Sequence, residues 1–234
     1  MVWWIWRLLI PLLVPALTAQ SVRTEEIAQG KFLVANRKLA DPNFAGSVVL
    51  IVHYDSKGAM GLIVNKKTKI TLARIFEDVK EATGQSDPLF FGGPVESRGV
   101  LALVRSETKP RAATHVFQDV YLITSKTALD KTVAEHPDPK RFRAFMGYSG
   151  WGAGQLEAEM ATGSWYVFPG AMTTVFDPAP TSVWERLIRI TEQQLAQAGT
   201  CGDFVRRHFV PCIDKLADKM AHPHPSYCCK SQIH

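Results

Sequence analysis

The chain has 234 residues, 46% of them hydrophobic and 21% charged, which excludes a disordered or low-complexity protein and suffices to bury a core. Its formal net charge of +5 is scattered along the sequence. The densest cationic stretch, Lys140, Arg141 and Arg143, reads as a solvated face, so charge gives no footprint for nucleic acid.

Residues 1–19 have the order of an export signal. Met1 to Arg7 carries the amino terminus and one arginine, Leu8 to Leu17 is an unbroken apolar run, and a cut after Ala19 precedes Gln20 and Ser21. The run is short for a bilayer, and Pro11 and Pro15 oppose a long helix. The tryptophans at 3, 4 and 6 leave an uncleaved anchor as the alternative. Export to the periplasm or beyond is therefore expected.

In the body, Thr24 to Gln29 predicts a short helix ended by Gly30, and Phe32 to Ala35 a strand. Asp41-Pro42-Asn43-Phe44 reads as a turn, and Ser47 to His53 as a buried strand. Asp55 to Gly58 closes a hairpin into Ala59 to Val64. The spacing of Leu72, Ile75, Phe76 and Val79 predicts a helix over 70–79, with Thr71 near its start. Strands are expected at Leu89 to Phe91, Val100 to Val104, His115 to Phe117 and Val120 to Ile123, then a helix from Ser125 through Ala134. Arg141 to Gly147 reads as a strand, Gly152 to Thr162 as a helix, and Trp165 to Phe168 and Met172 to Val175 as strands. Thr181 to Ala198 is the longest helix, with Trp184, Leu187, Ile188 and Leu195 on its apolar face.

All four cysteines, at 201, 212, 228 and 229, fall in the last stretch of chain, where Pro211 breaks or restarts a further helix. In an exported protein this favours disulfides, with Cys201 and Cys212 the expected pair. A metal site with His222 and His224 fits less well, because vicinal Cys228-Cys229 is awkward for tetrahedral ligation. The layout expected is a signal over 1–19, one domain over 20–199 and a cysteine-bearing tail over 200–234. Strands and helices mix without a βαβ beat, which predicts an α+β fold with a largely antiparallel sheet.

Five segments in order resemble the YqgE/AlgH family (UPF0301). They are Gly30 to Ala35, Asp41 to Phe44, Gly58 to Asn65, Phe91-Gly92-Gly93-Pro94-Val95, and Gly147 to Glu159 with its Gly150-Trp151-Gly152-Ala153-Gly154-Gln155 core. The resemblance implies a small closed β-barrel surrounded by helices. It also implies an unsettled role, since the family carries a transcriptional-regulator label on a fold that is not a known DNA-binding architecture. Two departures stand out. Val52-His53-Tyr54 replaces the family's Cys-Glu-His, and Asn65-Lys66-Lys67 its Asn-Arg-Pro.

No motif amounts to a catalytic site. Gly150 to Gly154 lacks the glycine at 155 that a dinucleotide loop needs, and Ser149 lacks the glycine at 151 of a nucleophile elbow. Glu157 and Glu159, about 200° apart on a helix, cannot share a proton. His53 stands without a partner base, and neither a metal pattern nor a cofactor is implied. The expectation is a non-enzymatic binding or regulatory domain taking a small anionic ligand or a protein partner. Its groove would be built from Gly92, Gly93, Pro94, Tyr148, Gly150, Trp151, Gly152, Gln155 and Glu157, with Trp151 as a core plug and an anion seated at the helix start. The alternative is an enzyme using His53, Tyr148, Glu157 or Glu159. A DNA-contacting regulator is a third reading, which export would exclude.

Overall fold

A computed structural model describes residues 26–196. The expected signal, the Cys201–Cys212 pair and the rest of the tail lie outside the described residues. Among the described residues there are ten strands: β1 (Phe32–Ala35), β2 (Val48–Asp55), β3 (Gly58–Ile63), β4 (Lys67–Thr71), β5 (Pro88–Phe91), β6 (Val95–Arg105), β7 (Ala113–Phe117), β8 (Val120–Ile123), β9 (Phe142–Gly152) and β10 (Trp165–Phe168). The helices are α1 (Leu72–Ile75), α2 (Lys126–Ala134), α3 (Gln155–Ala161), α4 (Met172–Val175) and α5 (residues 183–196).

The main ladder runs β10-β1-β2-β3-β9-β6-β8-β7, antiparallel throughout, with the β4–β5 pair attached through a parallel contact of β5 with β9. Strand β9 organises the fold. Its residues 149–152 pair with β3, its residues 142–148 with β6, and Phe145 and Met146 with β5. The sheet curls until its first strands approach β7. There the Gln29 amide donates to the carbonyls of His115 and Val116 at 3.0 and 3.1 Å, so side chains rather than a further ladder span the seam. The α+β, mainly antiparallel architecture is the expected one.

Alternation decides which face each residue covers. Phe32, Val34, Leu50, Val52, Leu62 and Phe145 point into the curl, where Val183 and Ile188 of α5 join them. Leu33, Ala35, Val49, Ile51 and Ile63 point outward beneath Leu156 of α3, Trp151 and Trp165. Both faces are thus covered, which is why β2 begins as an unbroken apolar run. A third cluster packs α1 and α2 against β6 and β9 through Leu72, Leu129, Val133, Ala102 and Ala144.

Several elements differ from the sequence reading. Residues 26–29 form no helix and lead into a turn at Gly30. The helix expected over 70–79 shrinks to the single turn α1, because Lys67 and Thr71 pair with Phe90 and Pro88 and hold the preceding chain extended. Met172 to Val175, strand-like in its β-branched residues, is the helical turn α4, whose Val175 is fully buried against the inner core. Strand β9 continues through Gly152, so α3 starts only at Gln155. On α5, Ile188 is buried but Leu195 is 47% exposed, although the spacing put both on one face.

Candidate functional site

The family-like segments converge on Trp151, which is 5% exposed. Its ring stacks on Phe44 at 5.8 Å and meets Trp165 edge-on at 6.0 Å. Phe44 is delivered by the Asp41 turn, where the Asp41 carboxylate accepts from the Asn43 N–H at 2.8 Å. Asn65 holds that turn to the sheet. Its Oδ1 accepts from the Val48 N–H at 2.8 Å, and its Nδ2 donates to the Gly46 carbonyl at 2.9 Å. Lys66 donates to the Asn43 carbonyl at 2.8 Å, and burial draws its pKa below the ordinary lysine range. Gly61 passes under the indole; a Cβ there would lie 3.3 Å from the ring and 2.5 Å from Val49.

Polar groups around the plug bond to one another. The Trp151 and Trp165 indole N–H groups both donate to Glu159 Oε2, at 3.0 and 2.8 Å. Gln155 Nε2 donates to Glu159 Oε1 at 3.1 Å, while Gln155 Oε1 accepts from the Gly152 N–H at 3.1 Å. Gln155 therefore closes the strand-to-helix corner with both ends of its amide engaged. Removing this exposed bridge by Gln155→Ala should shift stability by less than about 1 kcal/mol in a urea titration. A larger loss would mean that the bridge holds Glu159 in place.

Glu157 points elsewhere, as the helical spacing requires, and accepts from the Tyr54 hydroxyl. That bond holds the Glu157 carboxyl below the usual range and raises the tyrosine. His53 is solvent-facing, with Nε2 at 3.2 Å from Asp55. Ser149 is fully buried, and its hydroxyl donates to the Gly92 carbonyl at 3.1 Å. The serine is a strut between strands.

The Gly92–Gly93 turn packs directly against the middle of β9. A Cβ on Gly92 would stand 2.2 Å from the Gly147 carbonyl oxygen, and one on Gly93 would stand 2.3 Å from the Tyr148 carbonyl. At both glycines the backbone of β9 occupies the Cβ side. Gly150, Trp151 and Gly152 are ladder residues opposite Met60, Ala59 and Gly58. Of the nine expected site residues, Tyr148 lines a cavity of ≈ 630 Å³ between α1, α2 and the β6 bulge, and Pro94 edges a shallower one beside it. Burial chiefly, and then Glu96, raise the Tyr148 pKa.

Sequence reasoning missed a cavity of ≈ 660 Å³ between β4, β5, the start of β9 and α4. Arg143 lines it and is only 7% exposed, which corrects the reading of the Lys140–Arg143 stretch as a solvated face. The residue lies inside β9, between buried Phe142 and Ala144. A cation within an otherwise apolar strand was the signal available.

Fold and site thus define an α+β protein with a curled antiparallel sheet whose glycine-rich motifs form a packing knot. The profile of the family described as AlgH-like matches residues 32–196, and the chain belongs to that family. It is 32% identical over 180 residues to the UPF0301 protein SCO2948 of Streptomyces coelicolor, covering 74% of this chain and 92% of that protein. With the UPF0301 protein of Stutzerimonas stutzeri it shares 37% over 152 residues, 62% of this chain and 79% of the relative. The solution structure of the AlgH protein from Pseudomonas aeruginosa superposes with a TM-score of 0.58 at 28% identity, over 72% of this chain and 90% of that one. Protein DIP2367 of Corynebacterium diphtheriae shares the fold, with a TM-score of 0.60 at 23% identity over 70% and 87% of the two chains.

Proposed function

We propose that this protein is a non-enzymatic binding domain. One observation carries the reading: Ser149, Gln155, Glu157 and Glu159 of the family-like motifs are engaged in structural hydrogen bonds. Glu159 serves two indoles and Gln155, Ser149 serves Gly92, and Glu157 serves Tyr54. A general base or nucleophile needs a free atom facing a substrate, and these face their own scaffold. The cavities, by contrast, are of the size that small molecules occupy, roughly 300–1,000 Å³. The charged, apolar, small-residue order of residues 1–19 supports an exported protein, so the ligand or partner would be met in the cell envelope or outside it.

The test is to isolate the full chain from its native host without denaturation and examine it by native mass spectrometry. The same preparation is then incubated with hydrolase, phosphatase and oxidoreductase substrate panels. A retained small molecule or stoichiometric partner, with no turnover, is the expected result. Turnover lost on Glu157→Gln or Tyr148→Phe would overturn the reading in favour of an enzyme.

A further inference from the structure

The ≈ 660 Å³ cavity has apolar walls, to which Leu72, Phe90, Phe142, Met172 and Phe176 contribute, and one deeply buried charge, Arg143. The guanidinium lies 4.5 Å from the centre of the Phe90 ring. Its hydrogen-bond partners are backbone: Nη1 donates to the Val64 carbonyl at 3.3 Å and Nη2 to the Asp177 carbonyl. The Asp177 carboxylate is itself taken up by Arg186 and the Ala179 N–H. Among the described residues, then, Arg143 has no carboxylate at ion-pair distance, and its guanidinium carries more N–H donors than these two bonds use.

A buried cation without an ion-pair partner is costly, and burial pushes this one down to about 10 against the opposing pull of the Asp177 charge. Further charges line the same cavity. Lys67 and Lys140 are matched in number by Asp87 and Asp138, Arg105 pairs with Asp119 at 2.9 Å, and Asp177 pairs with Arg186. The uncompensated charge is therefore the buried one. That arrangement suits a single anionic group on an apolar body and disfavours a polyanion, which would need the cations to dominate the mouth.

We infer that this cavity binds a small carboxylic acid, its carboxylate against Arg143 and its hydrocarbon or aromatic part against the Phe90–Phe176 walls. The inference deepens the binding-domain reading and rests on it. Planar guanidinium and carboxylate groups pair through parallel hydrogen bonds, and an amide of the same shape loses both the charge and one acceptor.

Octanoate and octanamide are suitable probes, titrated calorimetrically into the full chain with heteronuclear NMR to locate the contact. Octanoate should bind at least about tenfold more tightly than octanamide, with shifts at Phe90 and Met172. Arg143→Met should remove that preference. Because Arg143→Met could unfold the strand, Met172→Trp provides a second variant, filling the cavity from its wall and abolishing binding of both probes. Equal binding of acid and amide, silence from both, or a preference lost in Lys140→Met rather than Arg143→Met would each overturn the inference. If native isolation still returns a bound molecule or partner after such a result, the binding-domain reading survives and only the ligand class is wrong.

Discussion

Replacing Trp151 by alanine is expected to destabilise the domain by about 3–5 kcal/mol, the scale for deleting a buried aromatic whose surroundings relax only partly. The cavity would open between Phe44 and Trp165, both of which rest on the indole. Glu159 would keep one indole donor and lose the other. The side chain also covers Gly61 of β3, so its loss uncovers the strand pair beneath. Chemical denaturation followed by far-ultraviolet circular dichroism measures the effect, since tryptophan emission is itself altered by the substitution. Trp151→Phe should recover part of the loss, because the stacking on Phe44 survives while the hydrogen bond to Glu159 does not. A Trp151→Ala midpoint within error of the parent would refute the plug.

Gly93→Ala should cost roughly 2–4 kcal/mol for a different reason. The new Cβ would stand 2.3 Å from the carbonyl carbon and oxygen of Tyr148 and 2.4 Å from the Ser149 nitrogen, at a φ of +152 that L residues rarely adopt. Those neighbours are ladder atoms of β9 and cannot swing aside as a flexible side chain would. Gly84→Ala is the control. It has a φ of +84 and nothing within 4 Å of its Cβ, so it isolates the backbone conformational cost, about 1 kcal/mol. If the two substitutions prove equally mild in urea, the Gly92–Gly93 turn is not pressed against β9. A ligand-width gap between the glycine turns would then be open again.

These two expectations show how far the sequence could be read. Strands β1, β2, β8 and β10 were visible because their β-branched and aromatic runs are bounded by turn residues, and β3 through the Asp55–Gly58 hairpin, where Gly58 needs a positive φ. The plug was visible because a tryptophan among glycines can only be packed or exposed, and the family-like motifs give it neighbours. Helix α4 was not visible: Thr173, Thr174 and Val175 favour strands locally, and only the burial of Val175 and Phe176 in the inner core makes the turn worthwhile. Helix α1 was over-read for the converse reason, a helical spacing overridden by strand pairing at Lys67 and Thr71.

The candidate site was legible in part. Glycines signal close backbone approach, but a sequence does not say whether the approaching group is a ligand or another strand. At Gly92, Gly93 and Gly61 it is the protein itself. Gln155 was read as a groove residue, and the fold uses both ends of its amide internally. Arg143 was passed over because its cationic neighbours Lys140 and Arg141 are exposed, and strand β9 begins between them and it. Two positions separate the exposed Arg141, just before the strand, from the buried Arg143 within it.

The position of β9 also bears on how the chain comes to be assembled. Its partners β3, β5 and β6 are all made earlier, yet none of them can complete its pairing until residues 142–152 exist. Strand β1 waits longer still, because its outer neighbour β10 begins at Trp165. A chain emerging from the ribosome would thus carry the β1–β2–β3 unit with an unpaired edge on each side, and the apolar run Val48 to Val52 with both its faces uncovered, through most of synthesis. Non-local pairing of this kind makes folding slow and late, on the order of milliseconds to seconds after release rather than during elongation. If the chain is exported, that delay would be useful, because an unfinished sheet is still a threadable polypeptide.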